Sequence, residues 1–364
     1  MKIGLVCPYN LFRGGGVQEC VLAVQAELNK RGHDAIIVTP KPRENHTEEP
    51  KGVRLLGRAT DMKSPFHTTA QVSVSVDPNE VDSLLEQENF DVLHFHEPWV
   101  PLLSRQILLK SNARNIATFH AKLPDTVMSQ TIKRVITPYT KSVLKYIDVF
   151  TAVSDPASAY LRALSDVPIT IVPNGIDLAK YRIGKPSKSP YVFYIGRLER
   201  RKGIKFLLNA MAKLQLTYPD IKLILAGDGS DRAQLERYAK DNKINAEFLG
   251  RIDEATKLKL LREAHVFCSP ARYGESFGIV LLEAMASGVP IVAGCNPGYE
   301  TVLTGTGRLS LVDPSDTSEF TRRLDLMLHD EAVRGIWKDW AKANIDQYDY
   351  KMVVDQYVRL YEAA

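Results

Sequence analysis

The sequence predicts an α/β protein built from two doubly wound parallel-sheet domains, and three observations predict it. Short runs rich in Val and Ile alternate with stretches whose apolar residues recur at helical spacing, the β-α-β rhythm of a parallel sheet with right-handed crossovers. The rhythm restarts after a Pro-Asn-Gly turn and a polar segment near the middle of the chain. At 364 residues, 45% hydrophobic and 25% charged, the chain is long enough for two cores.

The charge balance, 47 basic against 43 acidic residues for a net +4, is too even to imply nucleic-acid binding. Cys7, Cys20, Cys268 and Cys295 are scattered without C-x-x-C spacing, which fits reduced thiols in the cytoplasm. Ile3 to Cys7 is too short for a signal-peptide core, and no apolar run approaches the roughly 18 residues of a membrane span.

Lys2 to Cys7 reads as a buried strand, Pro8 to Gly16 as a loop, and Val17 to Arg31 as a helix with Val21, Leu22, Val24, Ala26 and Leu28 recurring at helical spacing. Gly32 closes that helix, and Asp34 to Thr39 is the second strand. The loop Arg13-Gly14-Gly15-Gly16-Val17-Gln18 is not a dinucleotide fingerprint, because Glu19 stands where a third glycine belongs and Thr39-Pro40 supplies no ribose-binding acid. No Lys-Ser/Thr follows, so a P-loop fails too. What remains is a glycine-rich loop opening a helix, suited to an anionic or hydroxylated ligand, or a plain tight turn. Lys41 to Asp77 mixes Pro, charges and β-rich pieces such as Val72 to Val76, and predicts no definite arrangement.

Val81 to Glu88 reads as a short acidic helix, with Phe90 to His96 and Asn115 to His120 as strands. His94, His96, Glu97 and His120 raise a zinc reading, since residues two apart on a strand share a face. Polar residues at the carboxyl ends of parallel strands commonly line a ligand crevice instead, so no metal is expected and His120 is the histidine expected to touch substrate. Thr131 to Tyr146 reads as a helix interrupted at Pro138. Its Lys133, Arg134, Lys141 and Lys145 form either a solvated face or a surface for an anionic acceptor or membrane. Phe150 to Val153 is the next strand, Ser154-Asp155-Pro156 caps the helix after it, and Ile169 to Val172 leads into Pro173-Asn174-Gly175.

That turn sets the domain boundary, giving a first domain of residues 1–173, a second of 174–347 and an amphipathic C-terminal helix over 348–364. The second domain repeats the pattern: strand Tyr191 to Ile195, a basic loop from Gly196 to Gly203, helix Ile204 to Leu216, and strand Ile221 to Ala226 ending in Gly227-Asp228-Gly229. Strands at Glu247 to Leu249 and Val266 to Ser269 lead to Gly274-Glu275-Ser276-Phe277-Gly278-Ile279-Val280-Leu281-Leu282-Glu283. A helix beginning near Phe277 or Gly278 aims unpaired N–H groups and its positive dipole end beside Glu275, which suits a phosphate. Glu283 then reaches the far end of an elongated ligand. Arg197 and Lys202, on a glycine-flanked loop, suit a diphosphate that gains charge as it leaves. The plain alternatives are an ordinary helix with an acid at each end and a solvated basic loop.

These residues together resemble the retaining glycosyltransferases of family 4, which have the two-Rossmann GT-B fold, over essentially the whole chain. The likeness rests on Glu275-x7-Glu283, the Gly196-Arg197 to Lys202-Gly203 loop, Pro173-Asn174-Gly175-Ile176-Asp177, and Gly14 to Val17. Val6-Cys7-Pro8-Tyr9, Gly15-Gly16-Val17-Gln18, His94 with His96-Glu97-Pro98, and Ala117-Thr118-Phe119-His120 make the phosphatidylinositol mannosyltransferases the most similar branch. The resemblance implies that Arg197 and Lys202 hold the donor diphosphate, Glu275 the sugar hydroxyls and Glu283 the ribose. It places the N–H groups near Phe277, Gly278 and Ile279 at the phosphates and Glu254 at guanine, and counts Ser276, Gly16 and Gly227 among the donor-binding residues. His120 becomes an orienting group at the sugar, and Tyr9, Gly15, Gln18 and Lys122 belong to the acceptor.

The implied reaction moves mannose from GDP-mannose to a lipid-linked or glycan acceptor such as a phosphatidylinositol-type glycolipid, with no metal and no further cofactor, at the inner face of the membrane. Two stretches depart from the pattern. Asp77, Glu80, Asp82, Glu86 and Glu88 occupy the region where those mannosyltransferases carry a basic membrane helix, and Ala121-Lys122-Leu123-Pro124 replaces a Ser/Thr-rich run. Both count against phosphatidylinositol as the acceptor; the alternative is a family 4 transferase using a UDP-sugar with a soluble or cell-envelope polysaccharide acceptor. A non-catalytic nucleotide-sugar-binding module is the reading from another class.

Overall fold

The computed structural model describes residues 1–42, 49–63, 69–100, 102–121 and 137–363. They form two compact units, one of Met1–Gly175 with Tyr350–Ala364 and the other of Ile176–Asp349.

The first unit contains β1 (Lys2–Val6), α1 (Gly16–Lys30), β2 (Asp34–Lys41), β3 (Val53–Lys63), β4 (Thr69–Ser75), α2 (Pro78–Glu88), β5 (Val92–His96), α3 (Leu103–Leu108), β6 (Arg114–Phe119), α4 (137–144), β7 (Val149–Ala152), α5 (Asp155–Arg162) and β8 (Ile169–Ile171). Its sheet has the order β4-β3-β2-β1-β5-β6-β7-β8. All neighbours are parallel except the edge pair β3–β4. The chain reverses direction of travel across the sheet at β1, which pairs with β2 through Lys2↔Asp34 and with β5 through Ile3↔Val92. Helices leaving β1 and β5 therefore cover opposite faces, and the ends of these strands open a crevice.

The segment after β2 that the sequence left unorganised supplies β3 and the antiparallel β4. No apolar run announces β3, because Arg54 lies on it and is paired to Glu88 of α2 at 2.7 Å. Lys2 reaches the same carboxylate at 2.6 Å. Burial pushes the Glu88 pKa up, but the two cations outweigh it and hold the acid below its usual range.

One face of this sheet is covered by α1, whose Val21, Val24 and Leu28 are wholly buried against Ile3, Leu5 and Ile37. Against the same cluster lie Val353, Val354, Tyr357 and Tyr361 of α13 (Tyr350–Glu362), the chain's last helix. Arg31, at the end of α1, donates to Asp355 and to the Lys351 carbonyl. Elsewhere the local signals behave as their chemistry requires. Ser154 caps α5 by accepting from the Ala157 N–H at 3.1 Å, and Gly32, with φ +83°, takes the left-handed position after α1.

The second unit runs β9 (Tyr191–Ile195), α6 (Ile204–Leu214), β10 (Lys222–Ala226), α7 (Arg232–Asp241), β11 (Ala246–Gly250), α8 (Glu254–Glu263), β12 (Val266–Ser269), α9 (Ile279–Ala286), β13 (Ile291–Gly294), α10 (Pro297–Val302), β14 (Leu311–Val312), α11 (Thr317–His329) and α12 (Glu331–Asn344). The strands are all parallel, in the order β11-β10-β9-β12-β13-β14. The switch point lies between β9 and β12, so the loops leaving those two strands frame this unit's crevice.

Candidate active site

Both loops at the second switch point are charged, and they meet. The turn after β9 carries Arg197, Glu199, Arg201 and Lys202, and the loop after β12 carries Glu275. Oε1 of Glu275 receives Nη1 of Arg201 at 2.8 Å and Nζ of Lys202 at 2.7 Å. Arg201 is braced from behind by Glu199 at 3.1 Å and donates to the Gly274 carbonyl at 3.2 Å. Arg197 pairs with Glu199 at 3.2 Å and is the most exposed of the group, 45% against 16% for Lys202. Burial lowers the Lys202 pKa while Glu275 opposes it, and burial with the neighbouring Arg201 lowers that of Arg197. The result is a cationic cluster held by two carboxylates, Glu199 and Glu275, with Arg197 reaching outward.

The Glu275 loop is held by the strand ends beneath it. Asn296 donates to the Ala271 carbonyl at 2.8 Å and accepts from the Tyr299 N–H at 3.0 Å, and the Tyr299 hydroxyl meets Ser269 at 2.6 Å. Helix α9 then starts at Ile279, slightly later than the sequence suggests, because Gly278 has φ +112° and cannot be its first helical residue. Phe277 is buried edge-on to Tyr348 at 5.9 Å, so its backbone and not its ring is left for a ligand. Ser276 is half-buried beside it. Leu281 donates its N–H to the Gly278 carbonyl at 2.9 Å, which leaves the N–H groups of Ile279 and Val280 as those of the first turn of α9 without a helix carbonyl to accept them.

Gly227, at the end of β10, fixes the Arg197 turn from the other side. It has φ +126°, and a Cβ on it would lie 1.9 Å from the Gly196 carbonyl oxygen. No rotamer relieves a backbone collision. Gly227→Ala is expected to cost at least about 3 kcal/mol, lowering Tm by roughly 6–12 °C. In a calorimetric comparison Gly14→Ala serves as the contrast, since a Cβ there meets nothing within 4 Å.

Glu283, one side of α9, is buried and already occupied. Its Oε1 accepts from the Tyr181 hydroxyl at 2.9 Å and from Nζ of Lys257 at 2.8 Å. Lys257 bridges on to Glu254 at 2.8 Å, and the two acids outweigh burial in raising its pKa. Glu254 is exposed in the first turn of α8, behind its cap Asp253. Three of these residues escaped the sequence reading. Lys257 stands three residues after Glu254, a pair that becomes neighbours only once the stretch is known to be the helix α8. Arg201 was one of several cations in its loop, and nothing marks Tyr181.

In the first unit, the loop after β1 is a built turn. Thr39 donates to the Tyr9 carbonyl at 2.7 Å, Asn10 accepts from the Phe12 N–H at 3.0 Å, and Gln18 reaches the Asn10 carbonyl at 3.4 Å. Tyr9 and Gln18 thus flank the start of α1, where Gly15 is the cap position and Gly16 the first helical residue. Lys122, Lys133 and Arg134 lie outside the described residues. Lys141 and Lys145 are exposed, the latter over the Tyr146 ring at 4.9 Å.

The histidines occupy the ends of β5 and β6 and face inward. Nδ1 of His96 lies 2.8 Å from Nε2 of His120, and His94 stacks on His96 with centroids 4.4 Å apart. The hydroxyl chain behind them fixes one tautomer. Thr151 donates to the Ala117 carbonyl at 3.1 Å, so it accepts from Thr118 at 2.5 Å. Thr118, its proton committed, accepts from Nε2 of His94 at 2.6 Å, which leaves Nδ1 to accept from the Tyr361 hydroxyl of α13 at 2.7 Å. Burial keeps all three rings neutral. It pushes the His94 pKa to about 3 and His120 to about 4, the latter opposed by Asn174, and holds His96 well below its ordinary value. Among the described residues no group of three or more His, Cys, Asp or Glu side chains is arranged to hold a metal ion. Beside the rings, Glu97 accepts from the backbone N–H of both His120 and Ala121, a contact the sequence did not signal.

Known proteins match the whole chain. The family profile Glycosyltransferase Family 4 matches residues 14–180, and Glycosyl transferases group 1 matches residues 176–344. A phosphatidyl-myo-inositol mannosyltransferase from Mycolicibacterium smegmatis is 33% identical over 371 residues, covering 100% of this chain and 94% of the relative. A GDP-mannose-dependent monoacylated alpha-(1-6)-phosphatidylinositol monomannoside mannosyltransferase from Corynebacterium glutamicum is 31% identical over 48% of this chain and 51% of its own. Among solved structures, a sucrose-phosphate synthase from Thermosynechococcus elongatus superposes with TM-score 0.76 at 20% identity, over 99% of this chain and 98% of that one.

Proposed function

Because the chain belongs to family 4 of the glycosyltransferases, with the GT-B fold, we propose that it moves mannose from GDP-mannose, with retention, to a lipid-linked or glycan acceptor of the phosphatidylinositol type. The observation that carries this reading is the Glu275 carboxylate held by Arg201 and Lys202 at the start of α9, a sugar-binding acid set against cations for a diphosphate. The similarity to phosphatidyl-myo-inositol mannosyltransferases supports the acceptor class, and the GDP-mannose-dependent relative supports the donor.

In this reading Arg197 and Lys202, with the Phe277, Gly278 and Ile279 N–H groups, receive the diphosphate as it leaves and gains charge. Ser276, Gly227 and Gly16 leave room or N–H groups for it. Glu275 accepts from the sugar hydroxyls, Glu283 from the ribose and Glu254 from guanine. His120, neutral at its buried position, orients the sugar and is not the general base. The acceptor, met by Tyr9, Gly15, Gln18 and Lys122, attacks on the leaving-group face and passes its proton to a phosphate oxygen. The side-chain cations supply the charge stabilisation for which other transferases use a metal, so metal-independent transfer is part of the proposal. Among the described residues no helix is long and apolar enough to cross a membrane, so a lipid acceptor is reached from the surface.

A second reading, an acceptor other than phosphatidylinositol, is favoured by α2 and its cap, where Asp77, Glu80, Asp82 and Glu86, but not the buried and ion-paired Glu88, make the surface acidic and ill-suited to an anionic bilayer. Thermal-shift screening against GDP, UDP and ADP and their common sugars, followed by radiolabelled transfer to phosphatidylinositol vesicles and to soluble glycans, tests both. Stabilisation by GDP-mannose with label in the lipid supports the first. Label only in soluble glycan supports the second, and no shift with any nucleotide overturns the donor assignment. Within the same assay, Glu283→Gln, whose amide oxygen still accepts from Lys257 and Tyr181, is expected to weaken donor binding roughly 10-fold with kcat nearly unchanged, because a ribose contact is made equally in ground and transition states.

A further inference from the structure

We propose that Glu97 is a positioning residue of the transfer reaction, one whose negative charge holds the turn that carries His120; its kinetic consequence rests on the glycosyltransfer reading, its structural basis does not. Glu97 follows β5, and its own N–H prolongs the β5–β6 ladder by donating to the Thr118 carbonyl at 2.9 Å. Its φ of +53° is left-handed, a strained conformation for a non-glycine residue that persists only where its surroundings impose it. The side chain is wholly buried. There its Oε1 accepts from the His120 N–H and from the Ala121 N–H, each at 2.6 Å.

Two N–H groups converging on one oxygen suit a carboxylate, since charge-assisted bonds are the shorter and stronger kind. They also fix the backbone at the residue whose ring is set by His96, so ring and main chain of His120 are clamped separately. Oε2 has no partner within hydrogen-bond geometry among the described residues, though the Trp99 side chain lies near enough to favour the charged form. Burial pushes the Glu97 acid up to about 7, against the pull of the two N–H groups and Trp99. The groups facing it are Tyr9 from the loop after β1, His96 and His120. Burial holds Tyr9 well above its usual range, with the Glu97 charge adding to the effect, and holds both histidines neutral. Between about pH 5.5 and 9, Glu97 is therefore the group in this cluster that changes charge. It is ionised above about 7, so the His120 turn is clamped at pH 8 and loosened at pH 6.

Two measurements test this. In uniformly 15N-labelled protein without substrate, the His120 and Ala121 amide resonances are expected to titrate together with a midpoint near pH 7. In transfer assays, kcat of the wild type is expected to rise through the same pH. Glu97→Gln is expected to lose that rise and to fall roughly tenfold at pH 8 with donor KM unchanged, as misplacement of a remote group does. Glu97→Asp, which keeps the charge, retains a rise. Amides that do not respond between pH 5.5 and 9, or a Glu97→Gln variant with the wild-type profile, overturn the proposal. Should Glu97→Gln fail to fold, the amide titration of the wild type still decides. Wild-type protein that transfers no sugar sinks the glycosyltransfer reading and leaves the amide result standing.

Discussion

Glu275→Gln is expected to lower turnover by roughly two to three orders of magnitude while leaving the protein folded. The choice of Gln over Ala matters. Oε1 of Glu275 holds Arg201 and Lys202 at 2.8 and 2.7 Å, and all three side chains are no more than 16% exposed. Truncation to Ala strands two cations in a low-dielectric site, which costs about 3–5 kcal/mol and confuses folding with chemistry. The amide oxygen of Gln still accepts from both, so the frame stands while the negative charge is gone. A retaining transfer builds positive charge on the sugar as the diphosphate departs, and the carboxylate is worth most at that moment. Thermal denaturation checks the first half of the expectation and single-turnover kinetics the second. Undiminished turnover in a folded Glu275→Gln protein contradicts the assigned role, and a collapsed Tm shows the acid to be structural.

How far such a site is legible in the sequence depends on whether its residues are neighbours in the chain. Arg197, Lys202, Glu275 and Glu283 are legible because each sits at a fixed offset from a glycine turn or a helix start, signals that local sterics impose. Their partners are not. Arg201 braces Glu275 across 74 positions, Tyr181 reaches Glu283 across 102, and Tyr361 donates to His94 across 267. Nothing in the pattern of a strand tells which hydroxyl of a distant helix its histidine meets. The fold follows the same division. The alternation of apolar runs and helical faces gives the parallel strands, while β3 carries charges, Arg54 among them, that only a pairing with α2 makes sense of, and β4 is the antiparallel edge strand beside it. The histidine cluster invited a metal from its spacing. What spacing does not tell is the partners: His94 meets Thr118 and Tyr361 and His96 meets His120, while Nε2 of His96 has no hydrogen-bond partner among the described residues.

That cluster makes the protein sensitive to acid, by an amount comparable with its whole stability. His94, His96 and His120 are held neutral in the folded chain, so their folded pKa values lie below the ordinary one. The sign follows directly. Such groups lend stability above the unfolded pKa of about 6.5, and that stability drains away as pH falls toward the folded values, because the unfolded chain takes up protons that the folded chain refuses. Glu97 works the other way, since its raised pKa near 7 lets the folded chain hold a proton that the unfolded chain releases down to about 4.5. As pH falls from about 6.5 toward 4.5 the unfolded state comes to bind up to two more protons than the folded state, three on the histidines less one on Glu97, and stability falls by up to about 3 kcal/mol per pH unit. Over the window the loss is of order 5 kcal/mol, against about 5–15 kcal/mol for a typical domain. Urea unfolding at pH 7 and pH 5, followed by circular dichroism, is expected to show the midpoint collapsing at the lower pH. His94→Gln, which keeps an amide oxygen and an amide N–H for Tyr361 and Thr118 but takes up no proton, is expected to reduce the slope by about one third of the histidine contribution, close to 1.4 kcal/mol per pH unit. A midpoint that holds steady between the two pH values means the rings are charged in the folded chain, and the neutral hydrogen-bond pattern derived for them is then wrong.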